Sequence, residues 1–380
     1  MKVYLLILFA SLGLAYFSLK PSQPSSNAIN QLVEKEMNEL QIPGMAVAVI
    51  KDGKILHQET YGMANLEWNQ KVTPTTAFQI ASVTKLFTST LVMKYIQDGK
   101  IRLDDPVVKY LPDAPASWSQ VQIKHLLSHQ SGIPWPASIG GFLGTAPSTS
   151  DKPASKEQVY KDMRDSTLLY NPGEKEVYIN GDAFVLQFVL EKIGGKSIAE
   201  IFEEELFSPL GMKGSGFDQE VRNFPAQVMR PIKNKSQLFT KGTTEPLILK
   251  SYYNPTSYAG GGLYTTLEDA VKWAVSLEKG DFIDRDIVEQ LSSKMPLNGS
   301  FTALGWNRLE FNGHEAFGHT GGPGLGDVLY FPEEKLTIIV FSNYADMYPY
   351  MAASIACLFF PDIVLPSGPK TFDRGFYKYF

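Results

Sequence analysis

The chain has 380 residues, 44% of them hydrophobic and 20% charged, with a formal net charge of -5. That composition suits a globular protein with a sizeable core, and its length fits about two domains or one large domain with an insertion. It contains no basic stripe able to track a phosphate backbone, which argues against a nucleic-acid partner. A single cysteine, Cys357, excludes an internal disulfide and a cysteine-rich metal site.

The amino end opens with an uncharged apolar run, Val3 to Leu19, followed by Lys20 and the spacer "PSQPSS". This reads as a secretory signal or an uncleaved membrane anchor lying outside the fold, so the folded part is expected to be exported. Periodicity over "NAINQLVEKEMNEL" predicts a first helix from about Asn27. "MAVAVIKDGKILHQETYG" reads as a hairpin turning at Asp52-Gly53. Ser82 follows "TPTTAFQIA" and stands at the entry to a helix whose apolar face includes Leu86, Phe87, Val92, Tyr95 and Ile96. Residues 101–245 carry helical stretches broken by Pro/Gly loops, with few strand signals. The long loop "GIPWPASIGGFLGTAPSTSDKPAS" reads as a binding loop or lid. "TLEDAVKWAVSLEKG" predicts another helix. Strands are expected at "HEAFGHTGG", "DVLYFPEE" and "KLTIIVFSN", and a last helix at about 347–360 holds Cys357 as a buried thiol. Strands thus cluster early and late, the pattern of a sheet assembled from both chain ends with helices inserted between.

The chemistry has two obvious serine solutions. A nucleophile elbow of the form G-x-S-x-G is absent from the sequence, which argues against a Ser-His-Asp enzyme of that type. The alternative is Ser-x-x-Lys, in which positions i and i+3 share a helical face, so Lys85 can reach Ser82. A helix amino end also offers unpaired N–H groups where negative charge develops. The motif alone is weak: Ser276/Lys279 and Ser367/Lys370 match it as well, the first inside a charged helix and the second in the tail. Two further stretches give it weight. Tyr178-Ile179-Asn180 directly precedes an amphipathic helix, and His319-Thr320-Gly321-Gly322 occurs once, its paired glycines suiting a strand edge approached by another backbone.

Taken in order, Ser82-Val83-Thr84-Lys85, Tyr178-Ile179-Asn180 and His319-Thr320-Gly321-Gly322 resemble the three-motif signature of the serine β-lactamase-like, penicillin-binding-protein-like hydrolases. "IPGMAVAVIKDGKI", "IKHLLSHQSGIP", "YNPGEKEVYING" and "GGLYTTLEDAVKWA" support the resemblance, which extends over about residues 28–360. It implies an α/β fold of the β-lactamase/transpeptidase type: an antiparallel sheet flanked by helices with a mostly helical second domain. The expected division is 1–26 as signal or anchor plus linker and 27–365 as hydrolase, with 27–100 and 246–365 forming the α/β part and 101–245 the helical part. Residues 366–380 form a tail. By resemblance Ser82 is the acylated nucleophile, and Lys85 and Tyr178 share the proton work, either one possible as the immediate base. Asn180, His319, Thr320 and Gly321 bind substrate, and the N–H groups of Ser82 and Gly322 form the oxyanion hole. No metal or organic cofactor is implied. Many β-lactamases of the family have lysine where this chain has His319. A largely neutral histidine offers no fixed charge to a substrate carboxylate, which favours an ester or D-amino-acid peptide over a β-lactam as substrate. A non-catalytic, cell-wall-binding descendant is the alternative from another class, with retention of Ser82, Lys85 and Tyr178 arguing against it.

His125 and His129 have the i, i+4 spacing of a helical zinc pair, but no Glu follows His125 and no third ligand is evident, so a structural role at the site wall is expected. His57 is expected on a strand surface, Tyr258 in a structural turn, and Trp135 and Phe142 either as lining of an acyl pocket or as loop anchors.

Overall fold

The computed structural model describes residues 23–135, 155–222, 228–250, 253, 255–291, 302–322, 324–347 and 350–365. The apolar run at 3–19, Phe142 and the tail from 366 lie outside the described residues.

The chain begins with helix α1 (Ser26–Leu40), whose first turn is capped by the Ser25 hydroxyl accepting from Ala28 N–H. Strands β1 (Gly44–Lys51), β2 (Lys54–Asn65) and the short β3 (Gln70–Lys71) follow. Helix α2 (Thr84–Gln97) and the short α3 (Ile123–Leu127) come next, then α4 (Asn180–Gly194) and α5 (Leu267–Lys279). Strands β4 (Asn307–Phe311), β5 (His314–Gly321), β6 (Gly326–Phe331) and β7 (Leu336–Ser342) and helix α6 (Met351–Phe359) complete the main elements.

Seven strands form one antiparallel sheet in the order β4-β5-β6-β7-β1-β2-β3. The two chain ends meet at its centre, where β1 pairs with β7 from Met45↔Ser342 to Lys51↔Leu336. β1 is buried on both faces, which explains its unbroken apolar run. Met45, Val47 and Val49 belong to a core shared with Ile29 and Val33 of α1 and Ile355 of α6. Ala46, Ala48 and Ile50 belong to the larger core shared with α2, α4 and α5. Each fully buried Val, Ile or Leu contributes roughly 1.5–3 kcal/mol, so the period-2 alternation of β1 and β7 is what ties both helical layers to one sheet.

Two expectations are corrected. Between residues 216 and 249 the chain forms short strands, among them Gln219–Arg222 paired with Val228–Arg230 and Leu238–Thr240 paired with Leu247–Leu249. Strands of three or four residues are too brief to show alternation. His57 lies on β2 but is buried rather than at the surface, because α1 covers it: Ser26 Oγ is 2.8 Å from its Nδ1 and Tyr61 Oη 2.9 Å from its Nε2. Tyr61 donates onward to Asn30 at 2.6 Å.

Candidate active site

Ser82 sits where a short strand, Phe78–Gln79, hands over to a 3-10 turn, Ala81–Val83, that runs directly into α2. Ala81 has φ +46°, a left-handed conformation that costs a residue with a Cβ about 1–2 kcal/mol. Strain immediately before a reactive residue is held in place by its surroundings. Here Ile80 N–H donates to Leu263 O, and Thr84 Oγ1 both donates to Ala81 O at 2.7 Å and accepts from Leu263 N–H at 3.2 Å.

One helical turn brings Lys85 onto the face of Ser82, as the spacing predicts. Lys85 is 4% exposed and its Nζ has three oxygen neighbours: Gly260 O at 2.7 Å, Asn180 Oδ1 at 3.0 Å and Ser82 Oγ at 3.2 Å. The first two are acceptors, so they claim two of its protons; the third position faces the serine. Tyr178 Oη lies 3.0 Å from Ser82 Oγ, and Lys85 Nζ lies 5.0 Å from the Tyr178 ring centre. Asn180 is the first residue of α4, which places its amide and the preceding Tyr178 at the same helix entry. Ser82 Oγ thus stands between an amine and a phenol.

The His319 strand closes the other side. Gly321 is buried, and a Cβ there would lie 2.2 Å from Ile80 O, so the missing side chain lets β5 reach the Ser82 turn. Gly322, one residue further, is exposed with open space around its Cα. Among the described residues neither the Ser82 nor the Gly322 N–H donates to a backbone carbonyl. His319 is 4% exposed, so in this conformation it faces protein rather than solvent. Its Nδ1 is 2.7 Å from Thr320 O, and its ring centre 5.8 Å from that of Tyr178. Burial, then the Lys85 charge, push its pKa down to about 3. Thr320 is half-buried beside it.

Residues 29–355 match the family model described as Beta-lactamase. The chain belongs to the beta-lactamase family. Protein flp of Staphylococcus aureus (strain MW2) is 25% identical over 253 residues, which cover 66% of this chain and 48% of that protein. The chain therefore spans about half the length of this curated relative. Unguisins hydrolase ungD' of Aspergillus campestris is 26% identical over 343 residues, covering 84% of this chain and 62% of that one. Among solved structures, the octameric penicillin-binding protein homologue from Pyrococcus abyssi superposes with a TM-score of 0.74 at 26% identity, over 88% of this chain and 77% of that one. This beta-lactamase-family protein accordingly has the β-lactamase/transpeptidase-like fold that its three motifs imply.

Several contributors to the site carry no signal in the sequence of this family member. The Gly260 carbonyl, the shortest contact of Lys85, is a backbone atom in the short helix Tyr258–Gly261. Thr88 Oγ1 donates to Ala259 O at 2.7 Å and Ala259 N–H donates to Gln187 at 3.1 Å, so α2 and α4 both hold that segment. Tyr258 donates to Asp218 O, which anchors the turn. Trp135 packs on Phe184 with ring centres 4.4 Å apart, as a loop anchor does. The zinc-pair spacing of His125 and His129 fails locally: α3 ends at Leu127, and His129 lies beyond it with φ +55°, off the helical face. Among the described residues no group of three His, Cys, Asp or Glu side chains is placed to hold a metal. A cleft of about 580 Å³ lined by Asp52, Lys54, Glu278, Arg285 and Tyr330 includes none of the catalytic candidates.

Proposed function

We propose that this serine hydrolase of the beta-lactamase family cleaves an ester or amide through an acyl-enzyme on Ser82. The observation that carries the reading is the position of Ser82 Oγ, 3.2 Å from Lys85 Nζ and 3.0 Å from Tyr178 Oη. Ser82 attacks the substrate carbonyl, and its proton passes to the Lys85–Tyr178 pair. If Lys85 carries three protons, all are directed at acceptors and Tyr178 takes the serine proton as a phenolate, becoming a phenol; if it carries two, Tyr178 stays a phenol and the lone pair of Lys85 faces Ser82 and takes the proton. The negative carbonyl oxygen is received by the N–H groups of Ser82 and Gly322. Collapse of the tetrahedral species expels the leaving group, which recovers the proton. Water then repeats the sequence on the acyl-enzyme. Asn180 ties Lys85 to the substrate side.

Esters and D-amino-acid peptides are the preferred substrate class, with β-lactams second. The support is His319: uncharged and buried, it supplies no cation to a substrate carboxylate, and the charge of Lys85 is already engaged. The apolar run Val3–Leu19 supports an exported protein with possible membrane attachment through that segment. Recovery of the full chain only in the cytoplasmic fraction would overturn that placement.

Intact mass spectrometry with a fluorophosphonate or penicillin probe tests the chemistry. Wild type should gain the mass of one probe and Ser82→Ala none. A mass gain that persists in Ser82→Ala overturns the nucleophile assignment, and no gain in either, with no turnover of p-nitrophenyl esters, points to a non-catalytic protein. Comparing nitrocefin, short-chain esters and D-Ala-D-Ala peptides then ranks the substrates.

A further inference from the structure

Tyr178 is 38% exposed and is the penultimate residue of an irregular stretch, residues 171–179, that is neither helix nor strand. A side chain that must stay 3.0 Å from Ser82 Oγ therefore takes its position from neighbours. One residue touches three consecutive members of that stretch. The carbonyl of His129 accepts from Val177 N–H at 2.9 Å, its ring packs on Tyr178 with centres 4.5 Å apart, and its Nδ1 lies 3.4 Å from Ile179 N. His129 is 3% exposed and holds the left-handed backbone conformation, φ +55°, which is uncommon outside glycine. Behind it stands Asp182, fully buried in the first turn of α4, with Oδ2 3.5 Å from His129 Nδ1. The other Asp182 oxygen takes the Ser131 hydroxyl, and Ser131 Oγ accepts from Ile133 N–H at 2.9 Å.

We propose that His129 is the positioning residue for Tyr178 and Asp182 its buried anchor. Together they keep the Tyr178 hydroxyl within hydrogen-bond distance of Ser82. This rests on the acyl-enzyme reading above, and it assigns His129 no contact with substrate. His129 Nδ1 faces two partners of opposite kind. Without a proton it accepts from Ile179 N–H; with one it donates to Asp182. The hold on the Tyr178 stretch therefore depends on where that proton sits. The charged and titratable groups facing the pair are Lys85, Tyr178, His319 and Tyr170, whose hydroxyl is 3.5 Å from His129 O and which itself feels the charge of Glu176. Burial raises the pKa of Asp182, against the pull of His129 and Ser131.

The test uses the full chain. His129→Phe keeps a ring against Tyr178 and removes Nδ1; Asp182→Asn keeps the anchor's shape and replaces one carboxyl oxygen by an amide nitrogen. For a p-nitrophenyl ester, each should lower kcat by about 10- to 100-fold with KM changed less than about twofold, the signature of a misplaced catalytic group. Each should also alter the pH dependence of kcat. In a Tyr178→Phe background, His129→Phe should cost less than about threefold more, because the group it positions is gone. Wild-type kcat and pH profile in a folded His129→Phe, or losses that multiply in the Tyr178→Phe background, overturn the proposal. If His129→Phe does not fold, Asp182→Asn decides by the same criteria. Retained labelling in Ser82→Ala would instead sink the acyl-enzyme reading, so the two failures are distinct.

Discussion

Tyr178 stands between two buried histidines, and the two segments that carry them differ in what they do with charge. On the β5 side, His319 Nδ1 faces Thr320 O at 2.7 Å; a carbonyl only accepts, so Nδ1 holds the proton and Nε2 is bare, with no hydrogen-bond partner among the described residues. That ring is electrically silent. On the α3 side, His129 has a buried carboxyl group 3.5 Å away. Both segments use a glycine for close approach. A Cβ on Gly321 would lie 2.2 Å from Ile80 O, and one on Gly132 would lie 2.2 Å from Tyr170 O. The comparison separates two tasks: the β5 side shapes the cleft with a neutral group, and the α3 side places Tyr178 through polar contacts.

The strongest way to break this comparison is Gly132→Ala. It adds a backbone overlap to a residue at φ +75°, so it should lower stability by about 3 kcal/mol or more and displace the Tyr170–Tyr178 stretch. A denaturant midpoint and the rate of probe labelling check both effects. Gly321→Ala has the same overlap without the positive φ, so a loss of about 1–3 kcal/mol is expected. Its labelling rate should still fall, since β5 and Gly322 N–H are pushed from the Ser82 turn. Equal destabilisation by the two changes would mean that clearance alone matters.

His319→Gln probes the silent ring through pH, at little cost near neutrality. The unfolded chain protonates this histidine near pH 6.5, whereas the folded protein does so only near 3. Stability therefore falls as the pH drops through that window, by on the order of 5 kcal/mol, and the variant should flatten the fall. On the neighbouring strand, burial raises Asp327 to about 7 against an unfolded value of 3.8. Its contribution has the opposite slope: stability falls as pH rises from about 4 to 7. The two partly cancel in the wild type between about pH 4 and 6.5, whereas the difference between wild type and His319→Gln, in which Asp327 drops out, isolates the histidine. The smallest expected change is Ala81→Gly, which relieves the left-handed Ala81 and should raise stability by up to about 1 kcal/mol in thermal melts. Slower labelling in that variant would show that the strain helps aim Ser82.

Much of the arrangement was legible in the residues. The Ser82/Lys85 spacing works because a turn of helix places i and i+3 together, and Tyr178-Ile179-Asn180 delivers two side chains because α4 begins at Asn180. The sheet followed from β1 and β7, whose apolar runs are long enough to read. What escaped was of three kinds. A backbone acceptor such as Gly260 O has no side-chain signature. The left-handed turn at His129 broke a helical spacing that the letters suggested, since α3 lasts only five residues. The burial of His57 depends on α1, whose Ser26 lies 31 residues earlier in sequence, and alternation within β2 does not encode it.

The bond from Lys85 to Gly260 O also bears on how this site varies. Asn180 can be lost to one substitution, but an oxygen of the main chain survives every replacement at position 260. An added Cβ there would lie 3.3 Å from Ala183 Cβ, tighter than an ordinary contact, so a larger residue asks α4 to give by a few tenths of an ångström. The hold on Lys85 is therefore carried by the backbone of the Tyr258–Gly261 segment, and it is lost by moving that segment rather than by exchanging one polar side chain.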